Sequence, residues 1–270
     1  MNATPSNQIS RACLVTGGNR GIGRDISLSL AQAGYAVGVH FRSGKDQAEE
    51  VAERIREAGG VAEVFQADLA REVEIGRMMV AVKERFGGLY ALINNAGWEN
   101  VHHAIDMPSA DFRQALDVNL TGPFLCSQAA ARMMEHTGGV LVNNLSIHDT
   151  VPRKGLAHYC ASKAGMLMLT RCLALEWAEY GIRVVGVSPG AIETDMNRGE
   201  IERMGRHTFE EAIPAGRIGD TSDVAGLVAF LVSDAASYIT GTTIYTDGGY
   251  MQTTVPYDPR PPREPENPTP

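Results

Sequence analysis

Cysteine is scarce in this 270-residue chain, and Cys13, Cys126, Cys160 and Cys172 form no CxxC pair and have no neighbouring histidine cluster. That argues against a disulfide framework or a metal site and predicts reduced, buried thiols. Cys160, beside Tyr159, reads as a small buried side chain and not as a nucleophile. Long apolar runs are missing too. No stretch approaches the ~18 residues of a membrane span, and the opening MNATPSNQISRA lacks the apolar core of a secretion signal, so a cytoplasmic location is the default expectation. Positive charge is in deficit, with 24 Lys and Arg against 32 Asp and Glu and a net charge of -8. A surface of that sign disfavours nucleic acid or an anionic membrane as the main partner.

What the chain has is a normal apolar content, 44%, and a regular alternation of pattern. Short β-rich runs read ACLVTG, YAVGVHF, VAEVFQA, LYALINN, GVLVNNLS, IRVVGVSPG and GTTIYTDGG. Between the first six lie segments with apolar residues at helical spacing, several closed by glycine. Repeated βα units predict an α/β fold: a doubly wound Rossmann sheet of seven parallel strands with helices on both faces. No linker interrupts residues 1–250, which read as one domain, and residues 251–270 form a Pro-rich polar tail unsuited to a core or a regular helix.

The first strand runs into TGGNRGIG, Thr16 to Gly23, and then into a helix. Gly17 permits a tight turn, Gly21 lets backbone approach a diphosphate, and Gly23 lets the helix pack against the sheet. The helix N-terminus adds free N–H groups and partial positive charge. The spacing is GxxxGxG, not the usual GxGxxG of dinucleotide sites. After the second strand comes HFRSG, with Arg42 and Ser43 and no acid, while Arg20 lies in the glycine loop. An acid there would bind a ribose 2′-hydroxyl, whereas two guanidinium groups suit a 2′-phosphate, so NADP is preferred, with NAD as the alternative.

In AHYCASKAG, Tyr159 and Lys163 stand four residues apart and share a helix face. An ammonium beside the phenol favours the phenolate, which makes Tyr159 a candidate acid/base. A base that takes the proton of an alcohol near neutral pH needs its pKa lowered by about three units, or roughly 4 kcal/mol.

Together with NNAG (Asn94 to Gly97), Asn119 in DVNLTG, Ser146 thirteen positions before Tyr159, and PGAIET, these motifs make residues 11 to 250 resemble the classical short-chain dehydrogenases/reductases. The resemblance implies an NAD(P)-dependent oxidoreductase. By it, Ser146 bonds the substrate oxygen, Tyr159 passes the proton, Lys163 holds the nicotinamide ribose and depresses the tyrosine pKa, and Asn119 positions a water. It places Asn19, Ile22, Asn95, Ala96, Gly97, Asp68, Leu69, Pro189, Gly190, Ile192 and Thr194 along the cofactor. The family often has two serines at the fifth strand's end, and Leu145 takes the first place here.

Within the family, NNAGWEN, LSIHDTVP and PGAIETDMN look most like the bacterial glucose 1-dehydrogenases. That likeness implies Glu99, His148 and Asn197 as binders of substrate hydroxyls, around Ser146 and Tyr159, and hence a sugar. A ketone or 3-oxoacyl thioester reductase working with NADPH stays open, as does a non-catalytic cofactor-sensing regulator. The segment from Met196 to about Ile213, with Met204 and Phe209, matches the family's lid. Met166, Met168, Leu169 and Leu173 fall on more than one side of their helix, and the family's usual assembly is a homotetramer.

Overall fold

Strands buried on both faces read as continuous apolar runs, and the seven runs of the sequence are seven strands in the computed structural model, which describes residues 11–194 and 197–252. They are β1 (Ala12–Val15), β2 (Ala36–Phe41), β3 (Ala62–Gln66), β4 (Ala91–Asn94), β5 (Gly139–Asn144), β6 (Ile182–Pro189) and β7 (Thr243–Thr246). Their order is β3-β2-β1-β4-β5-β6-β7, and every pairing is parallel.

The helices of the described residues are α1 (Gly21–Gln32), α2 (Lys45–Glu57), α3 (Glu72–Phe86), α4 (Ser109–Leu116), α5 (Gly122–Met134), α6 (Ala157–Glu176), α7 (Arg198–Met204), α8 (Arg206–Ala212) and α9 (Thr221–Val232). Alternating strand residues feed two cores. Cys13, Val15, Val37, Val39, Ile93 and Val142 pack with Ile26, Leu30, Val51 and Val228 from α1, α2 and α9. Leu14, Leu92, Leu141 and Val184 face the other way, onto Met78, Val82, Cys126, Met134 and Leu173 from α3, α5 and α6. A one-residue slip of any strand would exchange its two faces, so the register is fixed by both cores at once.

The chain winds outward from β1 to β3 and then returns to place β4 on the other side of β1. Connections therefore diverge at the C-terminal ends of β1 and β4, where a crevice opens in folds of this kind. Thr16 to Gly23 and Asn94 to Gly97 both lie there. One further feature shapes the crevice. The helical segment α4–α5 passes through a π-turn, Asp117–Thr121, just ahead of Pro123, which has no N–H to donate to an α-helical ladder. The Gly122 N–H bonds the Asp117 carbonyl, five residues back.

The thiols depart in part from expectation: Cys13 and Cys126 are buried, but Cys160 is half-buried and Cys172 exposed. Cys172 lies on the outer face of α6, uncovered by the described residues. No helix of the described residues is long and apolar enough to cross a membrane. Met196 and the tail beyond Gln252 lie outside the described residues.

Candidate active site

A cleft of about 1010 Å³ runs along the C-terminal ends of the strands, and every residue expected to meet cofactor or substrate lines it. Asn119 alone of the expected site residues does not.

One half of the cleft is built for a dinucleotide. Gly17 turns the chain at φ 64°, a conformation L side chains rarely adopt. At Gly23 a Cβ would lie 2.1 Å from the Gly17 oxygen, so nothing larger lets α1 start so close to the loop. Arg20 precedes α1 without capping it by its side chain, which leaves first-turn N–H groups to an anion. Asn95 proves to be a brace: its Nδ2 donates to the Thr16 oxygen at 2.9 Å, and its Oδ1 accepts from Asn144 Nδ2 at 2.9 Å. Arg20 and Arg42 stand exposed at the end where the adenine ribose is expected, Asn19 Nδ2 bonds the Ser43 oxygen at 3.2 Å, and Asp68 and Leu69 close that end. These residues fit a nicotinamide dinucleotide.

The reactive cluster lies at the end of β5. The Ser146 hydroxyl accepts from the His148 N–H at 3.2 Å and lies beside the Tyr159 side chain. Tyr159 and Lys163 share the inner face of α6, with Nζ 5.5 Å from the tyrosine ring centre. The ammonium donates to the Asn144 main-chain oxygen at 2.8 Å. Burial lowers the Lys163 pKa to about 8, opposed by the nearby charges of Glu99 and Asp149. For Tyr159, burial and then the Glu99 charge push the pKa up, and the Ser146 hydrogen bond opposes them. The ammonium that the resemblance sets against this phenol is itself held on the Asn144 carbonyl. Desolvation of a phenolate in the cleft wall outweighs an ammonium already committed to a carbonyl.

Asn119 sits in the π-turn with its side chain fully engaged. Its Oδ1 accepts from Trp98 N at 2.8 Å, and its Nδ2 donates to Trp98 O at 2.9 Å and to Ser162 Oγ at 3.1 Å. It clamps the loop after β4 onto α6.

The far half of the cleft is mixed. Glu99 and His148 line it with Trp98, Val151, Pro152, Met204, Phe209 and Tyr250. His148 Nδ1 is 2.9 Å from the Val151 oxygen, and a carbonyl only accepts, so Nδ1 carries a hydrogen and Nε2 is the ring nitrogen left to a ligand. Asn197 does not reach into the cleft with spare groups of the expected kind. Its Oδ1 takes the Thr194 N–H at 2.8 Å and hydroxyl at 3.1 Å, and its Nδ2 donates to Ile192 O. It fastens the base of a lid formed by α7 and α8, whose Ile201 packs with Ile213, Ile218 and Phe209, while Glu193 pairs with Arg206.

Comparison with known proteins decides the family. The family model described as enoyl-(acyl carrier protein) reductase matches residues 17–251. A 3-oxoacyl-[acyl-carrier-protein] reductase of Staphylococcus epidermidis is 39% identical over 245 residues, 90% of this chain and all of that protein. The chain belongs to the classical short-chain dehydrogenases/reductases. Among solved members, an acetoin dehydrogenase from Salmonella typhimurium superposes with a TM-score of 0.84 at 36% identity, covering 91% of this chain and 98% of its own. A gluconate 5-dehydrogenase from Burkholderia cenocepacia, solved with NADP and tartrate, gives 0.86 at 31%, covering 92% and 99%. The protein is thus an oxidoreductase of this family. By name these relatives act on an acyl-carrier thioester, acetoin and gluconate, so the nearer likeness to glucose 1-dehydrogenases rests on the loops alone.

Three contributors to this dehydrogenase/reductase site escaped the sequence reading. Asn144 holds both Lys163 and Asn95, Trp98 is the partner of Asn119, and His40 bonds the glycine loop. For Asn144 a signal existed: paired asparagines close both β4 and β5, which are otherwise apolar. Asn94 Nδ2 bonds Asn143 Oδ1 at 2.9 Å across those strand ends.

Proposed function

We propose that the protein moves a hydride between NADP and the carbinol or carbonyl carbon of a small hydroxylated substrate, with an aldose as the first expectation. The nicotinamide, when bound, supplies the site that takes or gives the hydride. Tyr159 passes the proton to or from the substrate oxygen, Ser146 bonds that oxygen, and Lys163 would hold the nicotinamide ribose. Asn119 would position a relay water. Arg20 and Arg42, on separate segments and with no acid nearby on HFRSG, favour the 2′-phosphate of NADP.

One observation carries the substrate reading. Glu99 and His148 line the cleft with Ser146 and Tyr159 and carry acceptor atoms, which suits a ligand that brings hydroxyl donors. A carbonyl chain without hydroxyls brings them no donor, and a site that bonds hydroxyls discriminates against such a ligand. The second reading is reduction of a 3-oxoacyl thioester with NADPH. It is favoured by the apolar wall of Val151, Pro152, Met204 and Phe209 and by the 39% identity to the staphylococcal reductase. Rates for a panel of aldoses and aldonates with NADP, against rates for an acetoacetyl thioester with NADPH, separate the two. Turnover confined to the thioester would overturn the sugar reading.

Assembly as a homotetramer belongs to the same proposal. On α6, Met166 and Leu173 are buried, yet Met168 is 54% and Leu175 81% exposed, beside the exposed Cys172. A second copy across a two-fold axis would cover this face.

A further inference from the structure

His40 is the one imidazole among the described residues built into the floor of the cofactor half of the cleft, and neither the proton path nor the substrate end uses it. It lies on β2, 1% exposed, directly under the glycine loop. Its Nδ1 is 2.9 Å from the Gly17 nitrogen, and a main-chain N–H only donates, so Nδ1 is an acceptor. Its Nε2 is 3.0 Å from the Ala67 oxygen and must carry the ring hydrogen. The two contacts fix one neutral tautomer with no freedom left. The main-chain oxygen of His40 also accepts from Gly18 N at 2.8 Å, so the same residue holds two consecutive amides of the loop. Ala67 immediately precedes Asp68 and Leu69, which close the adenine end.

We propose that His40 is a positioning residue for the cofactor, a neutral imidazole that strings the first turn of the phosphate loop to the adenine end of the cleft. The inference rests on the nicotinamide dinucleotide occupying this cleft. The physical reason is the left-handed turn at Gly17. Glycine loses more backbone freedom on ordering than any other residue, and a loop that must be rigid to meet a diphosphate needs its free N–H tied from below. A side-chain acceptor does this where a strand carbonyl cannot, because the main-chain oxygen of His40 is already taken by Gly18. Burial lowers the imidazole pKa to about 4, so the acceptor persists at neutral pH, and Asp68 is the charged group facing it.

Two substitutions divide the two contacts. In His40→Asn, the amide oxygen stands at the level of Nδ1 and can still take the Gly17 N–H. In His40→Gln, the longer side chain keeps a donor for Ala67 but places no acceptor at the Nδ1 position. The measurement is NADP and NADPH affinity by fluorescence titration of the substrate-free protein, with steady-state kinetics alongside. His40→Asn is expected within about threefold of the parent, and His40→Gln weaker by about tenfold, the size of one lost hydrogen bond to a buried group. At saturating cofactor kcat should change less than about twofold, because the reactive cluster is untouched. Equal affinity of His40→Gln and the parent, or equal loss in both variants, overturns the proposal. Hydrogen exchange supplies a measurement that does not depend on either variant folding. The Gly17 amide of the cofactor-free parent is expected to be protected, and exchange at the rate of a free loop amide overturns the proposal. If the parent itself binds no nicotinamide dinucleotide, it is the reading of the cleft that fails.

Discussion

Lys163 directs its ammonium to the main-chain oxygen of Asn144, 2.8 Å away, with Nζ 5.5 Å from the centre of the Tyr159 ring. Lysine and tyrosine are neighbours, but the ammonium is bonded to main chain. Because burial lowers the Lys163 pKa to about 8, the ammonium that would hold a ribose is lost as pH rises through that value. NADP affinity of the parent should therefore fall between about pH 7 and about pH 9, by up to tenfold. In Lys163→Ala the affinity should be weaker at pH 7 and flat over the same range. Fluorescence titration across that range checks both, and a pH-independent parent affinity would count against the ribose role.

Tyr159→Phe removes the proton path and little else. The variant should fold, bind NADP within about threefold of the parent, and lose roughly 10³-fold or more in kcat, consistent with removal of a general acid/base. The direction of the tyrosine shift adds a pH test. Burial and Glu99 hold the free-enzyme phenol in its neutral form, so it is ready to donate and must be deprotonated to accept. For the oxidative direction kcat/KM should climb steadily into the alkaline range, whereas the reductive direction should be flat near neutral pH. A plateau of the oxidative profile below pH ~7 would show a phenolate already formed in the free enzyme.

The fold was legible because both faces of the sheet are buried. Strands of that kind declare themselves as uninterrupted apolar runs, and all seven were read, though their order in the sheet was not. The residues of the site were legible wherever chemistry dictates the residue type, as at Gly17, Ser146, Tyr159 and Lys163. What those residues bond was not. Asn119, Asn95 and Asn197 were read as groups facing cofactor, substrate or water, and the side chain of each is also engaged with main chain: Trp98, Thr16, and Ile192 with Thr194. An amide offers a donor and an acceptor in one side chain, and a sequence does not say whether a loop or a ligand will take them. His40 was invisible for a related reason: a histidine within an apolar strand differs from a core histidine only through the loop that folds over it.

The proposed cofactor preference rests on charge. Arg20 and Arg42 line the same cleft from the glycine loop and the end of β2, and neither Ser43 nor any neighbour on HFRSG brings a carboxylate. NADP should be preferred to NAD by about tenfold or more in kcat/KM, the worth of a charge-assisted contact. Arg42→Asp should reverse the ratio by removing an attraction and adding a repulsion against the 2′-phosphate. Steady-state kinetics with both cofactors measures this, and a parent that favours NAD would show the arginines serving another purpose.

Solution mass tests the exposed face of α6. Met168 and Leu175 would cost roughly 2 kcal/mol each left in water, and a monomer has no described element over them. Light scattering at micromolar concentration should give a mass several times the 29.0 kDa of one chain, and four times for the tetramer. Met168→Glu with Leu175→Glu should lower it by placing like charges on a self-complementary patch. A parent of monomer mass would leave the assembly without support.

Acid stability is the last measurable consequence, and it follows from His40. Its pKa is lowered by burial from 6.5 to about 4, with the backbone bond to Ala67 and the charge of Asp68 acting the other way. Between those two pH values the unfolded chain binds a proton that the folded chain does not. Stability therefore rises with pH across the window and is lost as pH falls from about 6.5 through about 4. Carried over the full shift, the loss is about 3 kcal/mol. His40→Asn has no titrating group at this position, keeps an acceptor for Gly17, and should lose that much less stability on acidification. The readout is the difference between the two proteins in urea midpoints at pH ~6.5 and pH ~4.5, since carboxylates elsewhere titrate alike in both and cancel. Parallel loss of stability in parent and variant would show that the imidazole is reached by water before the protein unfolds.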